Sequence, residues 1–592
     1  MTYRGKNVSA LELGAGALAM LPDVPRILPK LLKMAVLRPE SRRSLGLEFQ
    51  NAARQYADRP FLRFENAQWT YAQANAQVNQ MARGLASLGL KADDVVGLLA
   101  DNRPSLLLAV LACTKLGCVA ALLNPHQQGR VLAHSIGLVQ PKVILCSQEG
   151  LALLSSLKVE HPRSLDGVEC LVLDAASGSL PNSDFKSAWV DQAPHDLPQT
   201  DHVLAKQPCF YIFTSGTTGL PKASVMTHYR WLQAMSGLGS AVRLGSSDVL
   251  YCCLPLYHNN ALTVSLGVTL AGGACFALDG KFSASRFWQR IRHHKATAFC
   301  YIGELLRYLL NQPKGVDDQN HEVRLILGNG LRPEIWREFE ERFGIEHIYE
   351  FYGASESNLG FMNTFGLRET VGFSPIPFEV VACDPDTEQP IRTPRGRCKK
   401  VARGEVGLLI SEVTPLRPFD GYTDPKANEA KLLRDVFKKG DCWFNSGDLV
   451  RRQGWQHIQF VDRLGDTFRW KGENVSTSEV EGVLARVPWL ADAVVYGVQV
   501  PGQDGRAGMA ALTLKPGCQF DGPALAHHLS RELPSYAVPL YVRILPKLET
   551  TGTFKHQKAT LKKQGITSPD LTSPVYALNP DKSDYLPLAA RV

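Results

Sequence analysis

From about residue 45 to residue 460 the chain switches repeatedly between two hydrophobic periods. Thr70 to Leu88 spaces its apolar residues as a helix does, and Val95-Val96-Gly97-Leu98-Leu99 is an unbroken apolar run of strand length. Pro104 to Leu116 is helical again, and Val119 to Leu123 is another strand. Such alternation predicts an α/β architecture of largely parallel sheets covered by helices, because parallel neighbours need a crossover between them. No internal repeat and no low-complexity tract interrupts it.

The pattern changes near Asp462-Arg463-Leu464-Gly465-Asp466. Beyond it, Ser476 to Ala485 and Gly522 to Leu533 have helical spacing, while Val494 to Val500 and Ala510 to Leu514 are strand-like. The predicted division is a segment 1–45, a large domain 46–462 and a small domain 463–592, since a single core stops growing at roughly 250–300 residues. The proline-rich stretch from Gly565 onward is expected to wrap the surface or fray. Two apolar stretches, Ser105–Leu123 and Ala261–Leu278, are broken by Lys115 and Gly117 and by Gly267, Gly272 and Gly273. They are read as buried helix–strand units, not membrane spans.

The 592 residues are 45% hydrophobic and 21% charged, the balance of a soluble globular chain. Thirteen cysteines are scattered without a C-x-x-C pair, which points to a reducing, cytoplasmic setting. A net charge of +8 without basic runs gives no sign of nucleic acid binding. The first 45 residues hold eight basic side chains against three acids, +5 of that +8, around Ile27–Arg38, a mixture of apolar bulk and lysine. Either an interfacial helix resting on an anionic membrane or a helix packed on the protein's own body fits this composition.

The most informative chemistry lies at Tyr211-Ile-Phe-Thr-Ser-Gly-Thr-Thr-Gly-Leu-Pro-Lys-Ala-Ser224, an apolar strand entering a loop of hydroxyls and glycines. Gly216 and Gly219 let backbone N–H groups turn toward an anion, Thr214, Ser215, Thr217 and Thr218 add hydroxyl donors, and Lys222 brings positive charge. The G-x-x-x-x-G-K-[ST] phosphate loop is absent. The string resembles the signature loop of the adenylate-forming enzymes, the superfamily of acyl-CoA synthetases, luciferases and peptide-synthetase adenylation domains. Further segments resemble that pattern in the same order over roughly residues 45–560.

The resemblance implies a large domain of stacked α/β sheets with a β-barrel-like part, followed by a small mobile C-terminal α/β domain. In Tyr349–Ser357 it implies that Tyr352, Gly353, Ala354 and Ser355 border adenine and that Glu356 holds Mg²⁺, a hard cation that needs an oxygen anion beside the phosphates. Gly330, in Gly328-Asn329-Gly330, sits where the adenine-side loop is expected. Asp448, in Phe444–Leu449, would accept hydrogen bonds from both ribose hydroxyls, helped by Arg463. His258 would border the acyl pocket. Lys471, Gly472, Glu473 and Asn474 form the loop that meets coenzyme A, and Ser476 or Thr477 caps the helix that follows. In Glu549–Lys558 the catalytic lysine falls on Lys555, with Lys558 as the fallback, because Gly552 and Lys555 are separated by two residues.

The strings at Phe419–Asp424, Val436–Asp441 and Gly465–Asn474 are most similar to the very-long-chain acyl-CoA synthetase and fatty acid transport protein branch. The implied reaction uses ATP, Mg²⁺ and coenzyme A to activate a long- or very-long-chain fatty acid through an acyl-adenylate. A sterol side-chain or branched terpenoid acid, or a carrier-protein thiol as acceptor, fits the same residues. Gly353-Ala354-Ser355-Glu356-Ser357 is also one residue from the nucleophile elbow of serine hydrolases, and a membrane-associated fatty acid uptake or binding protein is the reading from another class. The partners expected are the carboxylic acid, a membrane surface under residues 1–45 and a second copy of the chain.

Overall fold

The computed structural model describes residues 6–174, 184–215, 220–384, 387–471, 473–500, 503, 505–551, 556–566 and 573–588. Two sheets organise the large part. In the first, Glu169–Val172, Val143–Cys146, Val95–Leu99, Val119–Leu122 and Pro208–Ser215 run parallel, and Pro221–Thr227 closes the edge antiparallel. In the second, Pro60–Phe64, Cys275–Leu278, Val249–Cys252, Ala298–Ile302, Leu325–Asn329 and His347–Gly353 run parallel. The expected antiparallel, barrel-like part continues this sheet through Gly360–Met362, His457–Arg463, Cys442–Gly454, Val406–Glu412 and Phe378–Val381.

One hydrophobic core joins strands of both sheets to the helices between them. Helix Pro104–Leu116 is buried at every residue from Leu106 onward, which is why its sequence is apolar all round. Lys115, the residue that breaks that run, is satisfied inside: its ammonium donates to Gln50, Asn75 and Asn79 at 3.0, 2.7 and 2.6 Å and pairs with Asp196 at 3.2 Å. Burial pulls its pKa down to about 8. Helix Tyr71–Ser87 begins at a reciprocal capping box between Thr70 and Gln73.

A separate core begins at Phe468 and serves a sheet of Leu490–Gln499, Arg506–Leu514 and Tyr541–Ile544. Of the two expectations for the tail, wrapping the surface or fraying, the described part does not fray: Val575–Leu578 and Tyr585–Pro587 add two strands to this sheet. Tyr585 is buried and donates to the Pro539 carbonyl at 2.7 Å, which anchors the tail despite its prolines.

The N-terminal segment forms helices Ala10–Met20 and Val24–Val36. The second packs one narrow stripe on helix His228–Val242, with Ile27 buried and Lys30 donating to the Gly239 carbonyl at 3.0 Å. Its remaining apolar face, with Leu28, Leu31 and Leu32, stays exposed. The reading of a helix packed on the protein's own body is thus met on one stripe, by Ile27 and Lys30. No helix among the described residues is long and apolar enough to cross a membrane.

Candidate active site

Several of the predicted residues follow the carboxyl ends of the second sheet's parallel strands, where open α/β sheets present their ligand crevice. Val249–Cys252 leads to His258, Leu325–Asn329 to Gly330, and His347–Gly353 to Ala354, Ser355 and Glu356. From the first sheet, Thr214 and Lys222 face each other across the antiparallel pair that brackets the expected phosphate loop, with the Thr214 hydroxyl 3.5 Å from the Lys222 carbonyl. Gly216, Thr217, Thr218 and Gly219 lie outside the described residues, as does the Ser215 side chain.

Tyr422 is the hub that joins these pieces. Its segment pairs with the strand after the loop: Val225 N donates to Gly421 O and Thr423 N to Ala223 O, both at 2.9 Å. The Lys222 ammonium stands 5.5 Å from the Tyr422 ring centre. Burial first, then the Glu356 carboxylate against it, raises the Tyr422 phenol far above its ordinary pKa, while Thr214 hydrogen bonding opposes the shift. Glu356 is nearly buried and has Lys431 at 3.9 Å. Arg230 is a further cation of this basin. It donates to the carbonyls of Ser357 at 2.6 Å and Val225 at 2.9 Å and faces Asp420 at 4.0 Å. Burial lowers its pKa while Asp420 and Glu356 oppose the shift.

The two residues assigned to adenine and ribose meet directly. The Tyr352 hydroxyl donates to Asp448 Oδ2, and burial followed by the Asp448 charge raises its pKa strongly. Asp448 is held from below by its own amide, which donates to Ser446 Oγ at 3.0 Å, and Arg463 stands opposite it in the strand register. Gly330 has φ +85°, a conformation that favours glycine. The loop is fixed by Glu350, a residue that sequence reasoning did not single out. Its carboxylate accepts from the amides of Gly330 at 3.2 Å and Leu331 at 2.9 Å and from the Tyr301 hydroxyl at 2.6 Å. Burial outweighs these donors and pushes Glu350 up to about 7. His258 is half-buried against the ring of Tyr257, 4.6 Å between centres, just before a wide helical turn at Asn260–Ser265.

Lys555 and Gly472 lie outside the described residues, as does the Asn474 side chain. Lys471 and Glu473 are exposed, and the Lys471 ammonium lies 6.0 Å from the ring centre of Trp470 in its own unit. Lys558 points elsewhere: it donates to Thr477 Oγ1 at 2.8 Å and pairs with Glu481 at 3.0 Å. Against the burial that would lower it, Glu481, Asp462 and Asp466 hold its pKa above the ordinary value. Asp462, read from sequence only as part of a hinge, accepts from Thr477 N at 2.7 Å and Thr477 Oγ1 at 3.0 Å. It thus ties the small unit's first helix, capped by Ser476, to the end of the large one.

The hydrolase reading fails on local geometry. Gly353–Ser357 passes from a strand through a turn to the strand Gly360–Met362, whereas a nucleophile elbow turns into a helix. The donor set suits magnesium instead: one nearly buried carboxylate, Glu356, beside the hydroxyl-bearing strand end at Thr214, with the remaining oxygens to come from phosphates and water.

The sequence matches the family profile described as AMP-binding enzyme over residues 49–409 and that of the AMP-binding enzyme C-terminal domain over residues 479–555. It is 47% identical over 586 residues to the medium/long-chain-fatty-acid–CoA ligase FadD6 of Mycobacterium tuberculosis, covering 99% of this chain and 96% of that protein. It is 41% identical to rat long-chain fatty acid transport protein 2, covering 91% of this chain and 88% of that protein. Its fold is similar to that of the anthranilate CoA ligase AuaEII in complex with anthranoyl-AMP, with a TM-score of 0.74, 21% identity, and coverage of 90% of this chain and 98% of that one.

Proposed function

The chain belongs to the AMP-binding enzyme family, and on that footing we propose that it joins a long- or very-long-chain fatty acid to coenzyme A through an acyl-adenylate, with release of AMP and diphosphate. The observation that carries the reading is the convergence of Thr214, Lys222, Glu356 and the Tyr352–Asp448 pair on one basin at the strand ends. A carboxylate is a poor acyl donor, because oxide would have to leave. It first attacks the α-phosphate of ATP, diphosphate departs, and an acyl-adenylate remains. In that transfer, as the bond to diphosphate breaks, negative charge grows on phosphate oxygens, where Lys222, the hydroxyl-rich loop and Lys555 would act as donors.

Asp448 and Arg463 hold the ribose and Gly330 the adenine edge, so the phosphates are presented in one orientation. Glu356 would hold magnesium, which would supply charge neutralisation at those oxygens. The thiol of coenzyme A then displaces AMP, with Lys471–Asn474 brought to the site by rotation about Asp462–Asp466. Lys555→Ala is expected to abolish adenylate formation and to spare thioester formation from supplied acyl-adenylate.

The acid arrives from a bilayer, and the N-terminal helices supply a surface for it. Leu11, Leu18 and Val36 are 87%, 68% and 67% exposed, with Leu28 and Leu32 between them. The segment's acids are each paired, Glu12 with Lys6, Asp23 with Arg243 and Glu40 with Lys206. Among the described residues no carboxylate pairs with Arg26, Lys33 or Arg42. This leaves cations beside an apolar stripe, which suits the anionic cytoplasmic face of a membrane.

The test incubates the protein with ATP, Mg²⁺, coenzyme A and a panel of fatty, branched, aromatic and sterol acids, followed by mass spectrometry. Fatty acyl-CoA appearing with AMP supports the reading, and a sterol or branched product moves the substrate class. Adenylate alone points to another thiol acceptor. No product with any acid overturns the reading in favour of a binding protein.

A further inference from the structure

Two bodies of the protein meet at a charged seam that the chemistry above does not use. From the large unit come Glu304 and Arg307, on helix Gly303–Leu310; from the small unit come Asp492, on strand Leu490–Gln499, and His556. Arg307 binds Glu304 at 2.6 Å and Asp492 at 2.9 Å and donates to the Ala491 carbonyl at 2.5 Å. His556 Nε2 lies 3.4 Å from Asp492 and 3.9 Å from Glu304, with its side chain only 8% exposed. The donor atoms of Glu304, Asp492 and His556 lie within 4.8 Å of one another, the spacing of a metal triad. The guanidinium already engages both carboxylates, so the cation of this cluster is Arg307.

The seam starts beside the adenine-side loop. Gly303 opens the helix that carries Glu304, and a Cβ on it would come within 1.8 Å of the Gly330 carbonyl oxygen, so helix and loop are in direct contact. His556 directly follows Lys555 in sequence. In the same arrangement Lys471 and Glu473 are exposed.

We propose that His556 is a positioning residue for the first half-reaction: by docking between Asp492 and Glu304 it holds the small unit in the arrangement that forms the adenylate, and it must be released for the thioester step. This rests on the two-step reading given above. The imidazole suits the task because it is small enough to be covered and makes contacts that a rotation can break, unlike a backbone ladder.

The test measures the halves separately on full-length His556→Gln, as ATP–diphosphate exchange with a fatty acid and as thioester formation from supplied acyl-adenylate. Exchange is expected to fall about 10-fold to 100-fold, the usual cost of misplacing a reacting group, with thioester formation within about twofold of wild type. Glu304→Gln, from the other side of the seam, is expected to give the same split. The double variant should lose less than the product of the singles, because both changes break one contact. Exchange by the wild-type protein secures the reading beneath the proposal. Given that, equal loss of both halves, loss of neither, or stabilisation by micromolar Zn²⁺ in wild type but not in His556→Gln would overturn it, the last by making the triad a metal site.

Discussion

The basin around Tyr422 and the seam around Arg307 both unite residues far apart in sequence, but they are held by different forces. The basin rests on backbone: Tyr422 is fixed because its neighbours Gly421 and Thr423 hydrogen-bond to Val225 and Ala223, and Asp448 because its strand pairs with His457–Arg463. The seam rests on side-chain charges and on the carbonyl of Ala491. A site that must present the same atoms every cycle is built on ladders that do not exchange. A contact proposed to open each cycle would be served by ion pairs, whose partners can be replaced by water once the units part.

The strongest way to break the basin is Asp448→Ala. It removes the carboxylate proposed to hold the ribose and takes from the half-buried Tyr352 hydroxyl its Asp448 acceptor. Adenylate formation is expected to fall about 10²-fold to 10³-fold, the scale of losing one charge-assisted contact in a preorganised site. Thermal unfolding of the small unit should be unmoved. Single-turnover kinetics beside a calorimetric scan decide it, and an equal loss at the seam would erase the contrast.

Arg307→Met is the matching change at the seam. It leaves Glu304 and Asp492 partly buried, with the guanidinium that touched both removed, and breaking such a pair costs about 3–5 kcal/mol. Neighbouring Arg332 and His556 recover part of this, so we expect about 2–3 kcal/mol. It should appear as earlier unfolding or undocking of the small unit, with nucleotide affinity within about threefold of wild type.

The sequence made the basin far more legible than the seam, for a physical reason. A phosphate loop needs glycines and hydroxyls at close spacing, so Thr214–Lys222 carries its chemistry locally, as do Asn445–Asp448 and the cap at Ser476. Arg230 escaped because its partners, Ser357 and Asp420, lie more than a hundred residues away. Glu350 escaped because a glutamate in a strand looks solvent-facing until the strands that bury it are known. The strands of the tail were not legible because prolines signal coil, while the deciding residue, Tyr585, acts through a distant carbonyl. The four seam residues are each ordinary in type, and only the docking of two units gives them a role.

Glu350 sharpens the comparison within the basin, because it holds the Gly330 loop by charge-accepting bonds at a buried site. Its folded pKa of about 7 lies above the ordinary carboxyl value of 4.5. The folded state therefore favours the protonated form. The stability this contributes is fully present below about pH 4.5 and is lost as pH rises through about 7, on the order of 3 kcal/mol. Glu350→Gln cannot ionise, so its stability curve should be flatter across that window. Unfolding followed in urea from pH 5 to 8 checks this, and parallel curves for the two proteins would contradict it.

Ionic strength gives the smallest and most discriminating effect. Salt screens charges within about 10 Å at 0.1 M and more closely above that, but it leaves buried backbone hydrogen bonds nearly untouched. The seam side chains keep 8–16% of their surface in water, so screening reaches them only in part. Between 0.05 and 0.5 M salt we expect amides of Gly303–Leu310 and Leu490–Ala493 to exchange hydrogen about two- to threefold faster, which corresponds to a fraction of a kcal/mol. Amides of Val225 and Thr423 should keep their rates, because their partners are carbonyls and not ions. Equal acceleration in both regions would mean that the whole molecule loosens. Acceleration confined to the basin would reverse the assignment of which region is built to open.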